Sequence, residues 1–302
     1  MINSFAELKK LANEQKVKIS NIAIKEQISE SDITEEGVLA KMRVALDTML
    51  DSIEQGTKAD VKSESGLTGG NAYKMKKQID AGKAISGAVI SNAIRMSIAV
   101  AEMNAAMGRI VAAPTAGSCG ILPGALGAMI QERGVSKEDA TRALFTAGEV
   151  GLIIANNASI SGAEGGCQAE CGTASAMAAA VIVELSGGTV DMCIDAVAIA
   201  LKCILGLVCD PVAGLVEVPC VKRNASGVTL AFTAAEMALA GINSMLPADE
   251  VVHAMKLVGD TMPATLRETA EGGLATCPTA KHLKKDILKK FTECRSCMGC
   301  KA

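Results

Sequence analysis

The chain has 302 residues, 49% of them hydrophobic and 2% aromatic, with 30 basic side chains against 33 acidic ones and a net charge of −3. That length supports one large domain or two modest ones, and the balanced charge, without a basic stripe, gives a nucleic-acid partner no electrostatic footing. No apolar run reaches the roughly 18 uninterrupted residues of a membrane span, and the start lacks an apolar signal core, so the expectation is a cytoplasmic protein outside the membrane.

With no Trp, one Tyr and fifteen Met, the core must be built from Ala, Leu, Ile, Val and Met. Ala and Met are good helix formers, and strand-type runs are scarce, so the expected fold is all-α: a compact Ala-rich helical domain with Gly-rich loops converging on one site. In chain order, "SFAE" at 4–7 fits a capping box, and "TEEGVLAKMRVALDTMLDSIEQG" reads as a long helix ending near Gly56. Residues 1–60 thus form a helical lead-in. From about residue 63, Gly-rich polar loops alternate with Ala-rich helices: "SESGLTGGNA", "AAPTAGSCG", "SGAEGGCQAECG" and "CDPVAGLVEVPCVKRNASG". Loops that recur between buried helices carry function more often than their scaffold does. Two helices follow in "TLAFTAAEMALAGINSML" and "DEVVHAMKLVGDTM", then "RETAEGGLATCPTAKHL" and a basic helical run. We divide the chain into the lead-in, a catalytic-type domain over 61–285 and a Cys-rich tail over 286–302.

Eleven cysteines in a chain expected in a reducing compartment need explanation. Cys193 and Cys203, in the helical pattern "VDMCIDAVAIALKCILGLV", read as small hydrophobes in the core. Cys167, Cys209 and Cys220 instead stand beside Gly165–Gly166, Pro211 and Pro219. Their separations of 42 and 11 residues match neither a zinc ribbon nor a ferredoxin run. On the residues alone, soft-metal ligands and reduced packing thiols both remain open.

"SGLTGG" at 65–70, "NAAMGRIVAAPTAGSCG" at 104–120, "EGGCQAECG" at 164–172, "GLVCDPVAGLVEVPCVKRNA" at 206–225 and "RETAEGGLA" at 267–275 resemble the bacterial iron–sulfur-dependent L-serine dehydratases, specifically the alpha chain of the two-subunit form. The resemblance implies that Cys167, Cys209 and Cys220 bind a [4Fe–4S] cluster with one open iron, without pyridoxal phosphate. It implies deamination of L-serine to pyruvate and ammonia, a beta subunit as partner and a hetero-oligomer. It brings the hydroxyls and backbone N–H groups of Ser65, Thr68, Gly69 and Gly70, with Thr115, Ser118, Arg223 and Asn224, forward as substrate-binding candidates. Cys119, Cys171 and Asn71 depart from the pattern, and both cysteines are expected to pack. No general base is assigned: His253 has helix-face spacing and His282 lies in the basic run.

The tail "CRSCMGC" places Cys294, Cys297 and Cys300 at C-x2-C-x2-C spacing. Three readings stand: a second metal site, a resting-state cap in which Cys300 is the fourth cluster ligand, or an exposed terminus. Two other functions compete with serine deamination: a related iron–sulfur lyase acting on L-cysteine, and a non-catalytic cluster-binding or sensing module.

Overall fold

The computed structural model describes residues 2–31 and 33–297, with side chains described as far as residue 290. Among them no β-strand forms, and the all-α class holds. The helices are α1 (Phe5–Gln15), α2 (Ile19–Ser31), α3 (Glu35–Gly56), α4 (Asn71–Asp80), α5 (Gly87–Ala105), α6 (Ile121–Arg133), α7 (Lys137–Asn157), α8 (Gly162–Gly165), α9 (Cys167–Leu185), α10 (Val190–Lys202), α11 (Cys220–Leu239), α12 (Ala248–Thr261) and α13 (Pro278–Cys297).

Local chemistry sets several of these ends. Ser4 caps α1, its hydroxyl accepting from the Glu7 amide at 3.1 Å, while the Glu7 carboxylate reaches back to the Asn3 amide at 3.1 Å. Thr34 caps α3 in the same way, and α3 ends at the expected Gly56. Ser136 and Thr189 start α7 and α10 through side-chain bonds to the third residue on.

The architecture is organised around α9. Every residue from Cys167 to Glu184 is buried, as expected of a helix apolar on all sides. Its sequence, "CQAECGTASAMAAAVIVEL", is mostly small, which lets α10, α11, α7 and α6 pack against it on all faces. The lead-in shares this core: Phe5, Leu8, Ile19, Ile22, Leu46 and Met49 belong to the same cluster as Ile153, Val181 and Leu201. Helix α3 lies on α5 and α7, and α2 lies on α7.

One packing expectation is corrected. Cys193 is buried, but Cys203 is exposed at the C-cap of α10, because the helix stops at Lys202 and the chain turns at Gly206 with φ 85°. The apolar period of "KCILGLV" therefore does not continue as helix.

Candidate active site

Two of the three singled-out cysteines are not in loops. Cys167 is the first residue of α9 and Cys220 the first of α11, so both thiols stand at the positive ends of helices, where thiolate is favoured. Gly166 makes the entry to α9: its φ is 74°, and a Cβ there would meet Met262 at 2.7 Å and the Leu207 carbonyl at 2.9 Å. Gln168, fully buried, then locks the first turn in place. Its Nε2 donates to the Met255 carbonyl and its Oε1 accepts from the Gly206 amide, each at 2.9 Å, while its own amide donates to the Leu207 carbonyl.

Cys209 sits on the segment that Gln168 holds. Its amide donates to the Leu266 carbonyl at 2.9 Å, and its carbonyl accepts from the Glu268 amide at 2.8 Å, forming an isolated parallel bridge to Arg267. The strap "RETAEGG" thus pins Cys209 from outside, with Arg267 anchored on the Met262 and Asp260 carbonyls. Asp210 is 3% exposed and joins two further pieces: its Oδ1 lies 2.8 Å from Arg223 Nη2, and its Oδ2 accepts from the Leu274 amide at 2.7 Å. Arg223 also donates to the Val208 carbonyl. Arg223 is therefore a fixed countercharge beside the thiols, in which a planar fork suits two acceptors at once.

The loop at 113–120 joins from another side. Asn224 is 1% exposed and fully engaged: it accepts from the Gly120 amide at 2.8 Å and donates to the Gly117 carbonyl at 2.7 Å and the Cys220 carbonyl at 2.9 Å. Thr115 donates to Glu170 on the first turn of α9 and lies 3.2 Å from Ser118. Glycine at 117 lets the Glu170 carboxylate approach closely, since a Cβ there would make it shift. The loop at 63–71 is tied to the thiol segment by Ser65, whose hydroxyl donates to buried Glu217 at 2.8 Å. Its other end turns away: Thr68 donates to Glu102 on α5 at 2.9 Å, Gly69 has φ 146°, and Gly70 caps α4 with φ 68°.

Negative charge crowds this site. Burial, and then the neighbouring Cys167, Glu268, Glu170 and Cys220, push the Cys209 thiol up. Burial first, then Cys167 and Glu170, push Cys220 up to about 12. Burial also raises Glu170, with Glu268 adding to it while the Thr115 hydroxyl and Arg223 oppose. Cys167 is held below the usual thiol range, chiefly by its side-chain hydrogen bond with Cys171, whose Sγ lies 3.3 Å away. Cys171 thus touches a proposed ligand, whereas Cys119 is a buried core thiol that burial raises to about 12.

Three thiols, buried at Cys167 and Cys209 and half-buried at Cys220, with two on helix N-termini and an arginine alongside, suit a cationic iron–sulfur core that would take them as thiolates. Among the described residues no group of three His, Cys, Asp or Glu closes on a single metal ion. A multi-iron cluster carries its thiolates on separate irons and so fits a wider set. Neither histidine joins the site: His253 is exposed on α12, and His282 is exposed on α13, 3.6 Å from Asp286. The tail reading based on Cys294, Cys297 and Cys300 falls on side chains outside those described.

Sequence reasoning missed Gln168, Glu170, Asp210, Glu217 and Glu102. The signal was present, since four lie inside the motifs already singled out and Glu102 is a lone charge in the Ala-rich run "IAVAEMNAA". A charge in a buried helix needs partners, and those partners are the loops.

The model of the family "Serine dehydratase alpha chain" matches residues 14–275. The chain is 50% identical over 287 residues to "Probable L-serine dehydratase, alpha chain" of Bacillus subtilis (strain 168), covering 95% of each protein. It is 44% identical over 291 residues to "L-serine dehydratase, alpha chain" of Peptoniphilus asaccharolyticus, covering 96% of this chain and 99% of that protein. Against "L-serine dehydratase 1" of Escherichia coli (strain K12) it is 46% identical over 181 residues, which make up 59% of this chain and 40% of that protein.

Proposed function

The chain belongs to the serine dehydratase alpha-chain family, and from that premise we propose that it deaminates L-serine to pyruvate and ammonia together with a beta chain. What supports this reading is the family match, together with Cys167 and Cys220 each opening a helix, Cys209 bridged to the "RETAEGG" strap, and thiols close enough for Cys167 and Cys220 to push up the Cys209 thiol. These thiols would hold a [4Fe–4S] cluster, which when bound supplies a Lewis acid for the substrate hydroxyl.

The chain's own residues supply orientation and charge. Gln168 and Asp210 fix the backbone on which the thiols stand. Arg223 balances the negative charge that gathers as the hydroxyl departs. Asn224 and Glu170 hold the 113–120 loop against α11 and α9, which sets the position of Thr115 beside the first turn of α9. Asn224 acts by positioning this loop, since its amide is already satisfied by protein. Loss of the α-proton and of the hydroxyl gives aminoacrylate, whose imine tautomer is hydrolysed by water to pyruvate and ammonia.

A beta chain is expected because two relatives are named alpha chains and the Escherichia coli relative extends well beyond the matched region. Eight described cysteines are free, which accords with a reducing cytoplasm. The test is anaerobic co-purification with the beta chain, followed by a pyruvate assay with L-serine and, for comparison, L-cysteine. Pyruvate from L-serine supports the reading. Turnover of L-cysteine alone, or of neither substrate by a cluster-loaded complex, overturns it.

A further inference from the structure

Cys171 stands one turn beyond Cys167 on α9. Helical side chains lean back toward the N-terminus, so its thiol lies over the start of the helix. The two sulfurs are 3.3 Å apart, and Cys171 Sγ takes no other hydrogen bond among the described residues. Gln168, between them, is bonded at both ends of its side-chain amide, which makes the turn that sets this contact rigid.

Three roles are open to a thiol placed in this way. A disulfide with Cys167 is the first, but residues four apart on a helix keep their Cβ atoms roughly 5–6 Å apart, whereas a disulfide needs roughly 3.5–4.5 Å. Holding an iron of its own is the second. Thiolates on separate irons of one cluster point away from each other, and two sulfurs in direct contact do not. The third is a hydrogen bond to the ligand. With iron bound, Cys167 is a thiolate and has no hydrogen to give. Cys171 is 1% exposed, and burial keeps a thiol protonated. The hydrogen between the two sulfurs then belongs to Cys171 and points at the ligand, and the charge on the acceptor strengthens the bond.

We infer that Cys171 donates its thiol hydrogen to the iron-bound sulfur of Cys167, and so tunes the cluster without holding it. The inference rests on the cluster reading proposed above and assigns a role to a residue that was expected only to pack. A thiolate that accepts a hydrogen bond gives less charge to its iron, which makes the cluster easier to reduce and a stronger Lewis acid. Arg223, whose charge favours the Cys167 thiolate, acts in the same sense.

Cys171→Ala and Cys171→Ser test this in the anaerobic, cluster-loaded complex with the beta chain. Alanine removes the donor, whereas serine keeps a hydroxyl that can donate. Both take away the sulfur, so a packing effect alone would move them alike. The readouts are iron content, the ratio of reduced to oxidised cluster at one fixed potential by EPR, and the S–H stretch in the infrared. In Cys171→Ala the iron content should stay at the wild-type value, while the reduced-to-oxidised ratio should fall at least about threefold. Cys171→Ser should recover most of that loss, and the wild type should show an S–H band that both variants lack. Equal shifts in the two variants would mean packing. An unchanged ratio in Cys171→Ala would mean that no bond reaches the ligand, and loss of iron there would make Cys171 a ligand itself. Each of these results overturns the inference. A wild-type complex without iron would overturn the proposed function and this inference with it. A loaded wild type that does not turn over L-serine would contradict the proposed function alone, leaving the EPR comparison to decide this one.

Discussion

Helix α9 carries a buried glutamate near each end, 14 residues and about 21 Å apart along the axis. Glu184, in the last turn, is 5% exposed and accepts from the Thr146 hydroxyl at 2.7 Å and the Ser20 amide at 3.3 Å. It fastens α7 and the start of α2 to the core. Glu170, in the first turn, is 9% exposed and also takes a hydroxyl, but its neighbours are thiols, Glu268 and Arg223. Burial raises its pKa and Glu268 raises it further. The same residue type on the same helix thus does two jobs. On α9, the carboxylate surrounded by donors is a fastening, whereas the one that shares its surroundings with Glu268 and the thiols stands at the candidate site.

The sharpest way to break this contrast is at the thiols. Replacing Cys167, Cys209 or Cys220 by serine should abolish iron retention and lower activity by more than about a hundredfold, roughly 3 kcal/mol of barrier. Iron and sulfide counts with a pyruvate assay measure both. Next, Glu170→Ala should cost about tenfold or more in kcat/KM through the freed Thr115 loop, while urea melts move little. Glu184→Ala should do the reverse. It leaves the Ser20 amide and the Thr146 hydroxyl without an acceptor, and so should lose about 2 kcal/mol of stability with kcat/KM unchanged. If Glu170→Ala and Glu184→Ala behave alike, the distinction between the two ends is wrong.

A smaller effect is expected at Glu149 on α7. Burial, and then Glu26 on α2, raise its carboxyl to about 7. The folded chain therefore holds this proton more tightly than the unfolded chain. The stability it contributes is full below the ordinary glutamate range of about 4 and is lost as pH rises through about 7. Glu149→Gln should be more stable than wild type by about 1 kcal/mol at pH 8, and that advantage should shrink toward pH 5. Paired urea melts at the two pH values check the sign.

The fold class is legible in the sequence because Ala-rich, aromatic-poor segments leave helix packing as the way to build a core. The ends of α3 are legible because Thr34 and Gly56 mark them. The thiol trio is legible as residues, but not its setting. Nothing in "VPCVKRNA" announces that Cys220 opens a helix, or that Asn224 faces back to the 113–120 loop instead of a ligand. The fastening carboxylates escape because their partners lie far along the chain: Glu217 meets Ser65 across 152 residues and Glu170 meets Thr115 across 55. Spacing rules read neighbours on one helix, and these bonds join different loops.

The central claim is that three thiols on α9, α11 and the strap hold one cluster which L-serine meets. Its most direct test is to purify the chain without oxygen, count iron and sulfide per chain, and record the optical and reduced-state EPR spectra before and after adding L-serine. The account predicts close to four irons and four sulfides, about the content of one cubane, with a spectrum that L-serine alters once the beta chain is present. A folded chain that carries no cluster, or a cluster that survives replacement of Cys167, Cys209 and Cys220 together, would contradict it.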